Sequence, residues 1–194
     1  MNPSMPFFKE IMKDPENEYY TKKGWHPIYT VNKDAKILII GQAPGKKVQQ
    51  TEIMWNDKSG DRLRKWMGIN RATFYDPTKI AVIPMDFYYP GKAKSGDVPP
   101  RKDITAKWHK KLINYMPNLK LIILVGSYSQ KYYLSTKDKK LNSTEMIKNY
   151  KNYLPKYFPI VHPSPRNNIW LSKNPWFLTK VIPDLKKKVN SILN

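Results

Sequence analysis

Two short strings hold most of the residues that could do chemistry. HPSPRN, residues 162–167, sets a histidine ahead of a serine framed by two prolines. Each proline fixes its own φ, so His162 and Ser164 are held at little entropic cost. Each proline also leaves its own nitrogen without a proton, so the remaining N–H groups of the string can point at a ligand. GQAPG, residues 41–45, ends the aliphatic run ILIIGQAPG. A short continuous apolar run reads as a strand covered on both faces. Ligands of open α/β sheets bind beyond the carboxyl ends of the strands, so this turn is placed to floor a site. Read singly, the first string is also a rigid surface turn and the second a plain strand-to-loop link.

Positioning both strings takes a parallel sheet. Four runs suit it: 36–41 (KILIIG), 79–84 (KIAVIP), 121–126 (LIILVG) and 157–161 (YFPIV). The first three are continuous and read as central parallel strands; Pro159 sends the fourth to an edge or a strand end. Helical stripes lie between them. Leu63, Trp66 and Met67 share a face, with Ser59 as the expected cap and Gly68 as the stop. Ile104, Trp108, Leu112 and Ile113 form a second stripe, ended by Pro117. Ser127 or Ser129 caps a short helix holding Tyr132, Tyr133 and Leu134. Asn174-Pro175 opens a last helix, which Pro183 is expected to kink or break before 185–193. The alternation predicts a three-layer α/β/α domain around a four-stranded, mainly parallel sheet. It spans 1–194 as one domain, with 1–34 as a helical or irregular segment packed on it. Three loops (41–55, 86–102 and 162–172) then meet at one sheet edge.

The totals narrow the partner. Lys and Arg number 35 against 15 Asp and Glu, a formal charge of +20 over 194 residues. That asymmetry attracts polyanions, nucleic acid first among them. The chain has no cysteine, which excludes disulfides, thiol catalysis and a thiolate-held zinc or iron–sulfur cluster. Its histidines, His26, His109 and His162, are too far apart in sequence to suggest a metal cluster, so neither a metal nor a cofactor is expected. GQAPG lacks the Lys-Ser/Thr of a P-loop and the spacing of a dinucleotide fingerprint. No apolar run reaches a membrane span, and the first residues lack a signal-peptide pattern, so a cytoplasmic protein is expected.

GQAPG with HPSPRN resembles the uracil-DNA glycosylase superfamily, whose members carry a Gly-rich motif after the first strand and an HPS-type motif after the fourth. Residues 41–60 are similar, without a gap, to the corresponding stretch of its iron–sulfur branch. DFYYPGKAKSGDVPPR looks like the signature of a cysteine-free, little-characterised subgroup. The resemblance implies a base-excision enzyme that flips a nucleotide from DNA, clamps its base and hydrolyses the N-glycosidic bond. It implies that His162 steadies the departing base and that Ser164 contacts a phosphate. Arg166, Ile169 or Trp170 stands where the family places a wedge into the helix. Trp55 falls on the family's stacking phenylalanine. Gly41, Ala43, Pro44 and Met85 complete the expected base pocket. Gly45, Lys46, Pro165 and Asn167 join the expected DNA contacts, with Lys47 as a further phosphate contact.

Two positions depart from the family pattern. Where many members carry a carboxylate or Asn in the first motif, this chain has Gln42 and Ala43; Gln42 can orient water but carries no charge. Where many carry an Asn that reads the pyrimidine edge, this chain has Pro84. Asp86 is the nearest acid and is expected at the mouth of the site as a base reader or substitute carboxylate, or else as a loop cap. Asp97, Arg101, Tyr88 and Tyr89 are expected nearby. The reading is a monomeric, monofunctional glycosylase for uracil or a related deaminated base, in single- or double-stranded DNA. The alternative is the same fold binding nucleic acid with weak or no cleavage.

Overall fold

The four aliphatic runs pair into one parallel sheet. The computed structural model describes residues 4–135 and 142–194. Its strands are β1 (Ile37–Ile40), β2 (Ile80–Val82), β3 (Leu121–Val125) and β4 (Tyr157–Ile160), in the order β2-β1-β3-β4. Ile39 faces Val82 on one side and Ile123 on the other, and Leu124 faces Pro159. The helices, in chain order, are α1 (Phe8–Lys13), α2 (Glu18–Lys22), α3 (Lys46–Thr51), α4 (Lys58–Met67) and α5 (Arg71–Tyr75). They continue with α6 (Lys102–Asn114), α7 (Ser127–Leu134), α8 (Ser143–Lys148), α9 (Asn168–Lys173) and α10 (Ile182–Leu193).

The period of two along β1 divides the core. Ile37 and Ile39 pack with Leu63 and Trp66 of α4 and with Leu185 and Val189 of α10. Leu38 and Ile40 pack with Ile11 of α1 and with Ile104, Trp108 and Leu112 of α6. Both faces are covered, so the strands are apolar throughout and the architecture is three-layered.

Several local expectations are corrected. β2 is an edge strand rather than a central one. Its free side is bridged by Thr30, whose N–H donates to the Val82 carbonyl at 2.8 Å and whose carbonyl accepts from the Val82 N–H. Asp57, not Ser59, caps α4: Asp57 Oδ1 accepts from the Gly60 N–H at 2.8 Å, and Ser59 is buried inside the first turn. No serine caps α7; Gly126 holds that position and Ser129 turns back to its carbonyl. Asn174 closes α9 through the Trp170 carbonyl and also leads into the next helical stretch, its own carbonyl accepting from the Phe177 N–H at 3.0 Å, although its side chain makes no cap bond there. Pro183 does not break that helix. It lies in the first turn of α10, directly after a π-helical turn at Phe177–Val181, where a missing N–H costs little.

The N-terminal segment contributes Phe8, Ile11 and Tyr29 to the core, and the Ile28 N–H donates to the Phe87 carbonyl at 2.8 Å. Residues 1–3 of that segment lie outside the described residues. Among the described residues, no helix is long and apolar enough to cross a membrane.

Candidate active site

Beyond the carboxyl ends of β1, β2 and β4 lies a cavity of about 470 Å³, within the range that holds small ligands. Gly41, Gln42, Ala43, Pro44 and Gly45 line it, as do His162, Ser164, Arg166 and Asn167, so the two strings singled out in the sequence share one wall system. Pro84 closes the β2 side, and Met54, Trp55, Asp57 and Ser59 come from the turn into α4.

HPSPRN braces itself. The Asn167 side chain donates to the His162 carbonyl at 2.8 Å, and Ser164 Oγ accepts from the Arg166 N–H at 3.3 Å. The Ser164 N–H donates to His162 Nδ1 at 3.1 Å. That bond leaves Nδ1 without a proton, so the neutral ring carries its N–H at Nε2. Burial pushes the His162 imidazole down to about 4, against the opposing pull of the Asp57 charge. The ring is therefore an uncharged donor at neutral pH.

Trp55 stands over the other half of the floor. Its ring lies 5.5 Å from His162, tilted by 31°, and a Cβ at Gly41 would come within 3.1 Å of it. The backbone at Trp55 is left-handed, φ 54, which is uncommon for a bulky residue. Two features hold it there. The Trp55 carbonyl accepts from Arg64 Nη1 at 3.1 Å, and it runs so close to Gly60 that a Cβ there would lie 1.7 Å from the oxygen. Gln42 also lines the cavity, and its side chain makes no hydrogen bond among the described residues.

Asp86 is displaced from its expected place. It is fully buried and does not line the cavity. Arg101 grips both carboxylate oxygens, Nε to Oδ2 at 2.8 Å and Nη2 to Oδ1 at 2.7 Å, and the Tyr88 and Arg101 N–H groups donate to it as well. Arg101 also donates to the Glu16 carbonyl and to Asn17 Oδ1, so the pair ties loop 86–101 to the N-terminal segment. Met85 is buried outside the cavity, its carbonyl taken by Thr105 Oγ1. Tyr88 is buried against Tyr20. Lys46 and Pro165 are exposed beside the cavity without lining it. Trp170 donates to Thr144 and packs on Trp176 and Phe177, which makes it a core residue rather than a wedge. Ile169, one residue earlier, is 69 % exposed.

Asp97 lines the cavity. Its neighbour Gly96 has φ 82 and faces Arg166, whose Nη1 would lie 2.8 Å from a Cβ there. The two loops thus meet across the mouth.

The family model of the uracil DNA glycosylase superfamily matches residues 28–186. The chain belongs to that superfamily. The match includes every residue that lines the cavity. It agrees with the four-stranded parallel sheet between helical layers, and with DNA as the partner and glycosylase-type chemistry in general.

Sequence reasoning missed Asp57, Ser59, Met54 and Val48 as lining residues. Asp57 carried a signal: Asp-Lys-Ser-Gly before the apolar stripe of α4 is a cap pattern, and a cap beside Trp55 lies at the site.

Proposed function

We propose that the protein is a monofunctional DNA glycosylase that hydrolyses the N-glycosidic bond of a flipped-out uracil or related deaminated base. The observation that carries this reading is the neutral His162, its Nδ1 occupied by the Ser164 N–H and its Nε2–H left for a ligand in the cavity. A base seated against Trp55 receives that N–H at a carbonyl oxygen. As the C1′–N bond lengthens, negative charge grows on the base and the hydrogen bond strengthens, with no proton transfer needed. Gln42 orients water on the floor. Ser164, whose hydroxyl hydrogen is still available, Asn167 and Arg166 hold phosphates, with Gly45, Lys46 and Pro165 at the rim. Ile169, exposed on α9, fills the gap left by the flipped nucleotide. No cofactor takes part, and the whole chain acts as a single-domain monomer in the cytoplasm.

A second reading, nucleic-acid binding with little cleavage, is favoured by one observation: Gln42 and Ala43 put no charge at the first motif.

The test is a cleavage assay on labelled oligonucleotides, single- and double-stranded. Each carries one uracil, hypoxanthine, xanthine or mismatched thymine, and abasic product is developed with alkali. The expected result is cleavage of at least one substrate, reduced about 100-fold or more in His162→Ala. Salt-sensitive DNA binding without cleavage of any substrate would replace the first reading with the second.

A further inference from the structure

We propose that Asp57 is the catalytic carboxylate of this site, doing from the start of α4 the work that the first motif does not do here. The inference rests on the glycosylase reading above.

Of the two carboxylates that line the cavity, Asp97 belongs to the loop whose Gly96 faces Arg166, across the mouth from the turn that carries Trp55. Asp57 spends only Oδ1, on the Gly60 N–H. Oδ2 has no hydrogen-bond partner among the described residues, on an exposed residue at the cavity wall. The other nearby acids are committed: Asp61 to Arg64 and Asp86 to Arg101. Asp57 is also the acidic group whose charge bears on the His162 ring. Trp55, two residues earlier, packs against the same ring. Base platform, leaving-group donor and free carboxylate oxygen are therefore brought together by one turn and one loop. The cap bond to Gly60 fixes the side chain, so Oδ2 needs little ordering when substrate enters.

The step balances without a co-reactant. A water oxygen attacks C1′ as the C1′–N bond breaks. The bonding pair leaves with the base, whose oxygen is held by His162 Nε2–H. Asp57 Oδ2 takes the water proton, and before that its negative charge faces the cationic sugar. The proton returns to the departed base or to solvent. A carboxylate suits the task because one group both faces a cation with its charge and accepts a proton from water.

The test separates this role from capping. Asn and Ser both cap helices well, so Asp57→Asn and Asp57→Ser keep the start of α4 and remove the charge. Single-turnover excision is measured on the best substrate from the assay above, beside the affinity for the same oligonucleotide with an uncleavable 2′-fluoro nucleotide. The expected result is a rate lowered about 100-fold or more in both variants, with affinity for the 2′-fluoro probe unchanged or tighter. Rates near wild type in both variants overturn the proposal, as does an affinity that falls in step with the rate. A wild-type protein that excises nothing removes the glycosylase reading, and this step with it. Wild-type excision with active variants removes Asp57 alone.

Discussion

A histidine that must donate while uncharged has to be kept from its ordinary titration. Burial does this for His162, and His109 shows the same physics away from the cavity. His109 Nε2 donates to the Pro84 carbonyl at 2.9 Å, Nδ1 accepts from the Tyr133 hydroxyl at 2.6 Å, and burial lowers the ring to about 4. Unfolded, it titrates near the usual 6.5. Between those values the unfolded chain binds more protons, so stability falls as pH drops from about 6.5 toward about 4 and is insensitive to this group above. The contribution from His109 is about 3 kcal/mol. Urea unfolding at neutral pH and near the lower limit should show the loss, and His109→Gln should reduce it without abolishing it, because His162 is lowered over the same range. Asp86 gives the opposite lesson. Asp86→Asn should cost about 2–3 kcal/mol by leaving Arg101 half-paired, while excision per folded molecule stays near wild type. A large drop in rate at unchanged stability would restore Asp86 to the chemistry. At this scale HPSPRN and GQAPG were readable because rigid turns advertise themselves. For Asp86 the sequence leaves a chemical role and a loop cap both open, because nearness along the chain says nothing about which cation already holds a carboxylate; the contacts to Tyr88 and Arg101 are those of the loop cap.

The element that sets the geometry is the turn between α3 and α4. It forces Trp55 into a left-handed backbone, and Gly60 yields the space that its carbonyl requires. Gly60→Ala should cost about 3 kcal/mol or more, because the obstacle is backbone and cannot rotate away. Near-ultraviolet circular dichroism should report a displaced tryptophan; an unchanged spectrum with unchanged stability would contradict the packing described. The strands and amphipathic helices were legible because their periodicity matches their burial. Caps and helix ends were less so. Ser59 and Asp57 are both good caps, and only the position of Trp55 and Gly60 selects between them. Pro183 signals a break unless the preceding turn is wide, which depends on how Phe177 and Val181 pack.

At the scale of the whole molecule, the +20 charge should make DNA binding strongly salt-dependent. Raising salt from about 50 to about 200 mM should weaken binding to an undamaged oligonucleotide at least about a hundredfold, a measurement independent of cleavage. A flat dependence would mean that the lysines are not engaged by phosphate. The bond from Arg101 to Glu16 and Asn17 bears on a different matter. A shortened version trimmed to the matched span, residues 28–186, would discard those two partners, together with Asp14, which accepts from Trp108 Nε1. It would also strip Phe8 and Ile11 from one face of the sheet and Val189 and Ile192 from the other. The stretch by which the lineage is recognised is therefore smaller than the stretch that completes the fold.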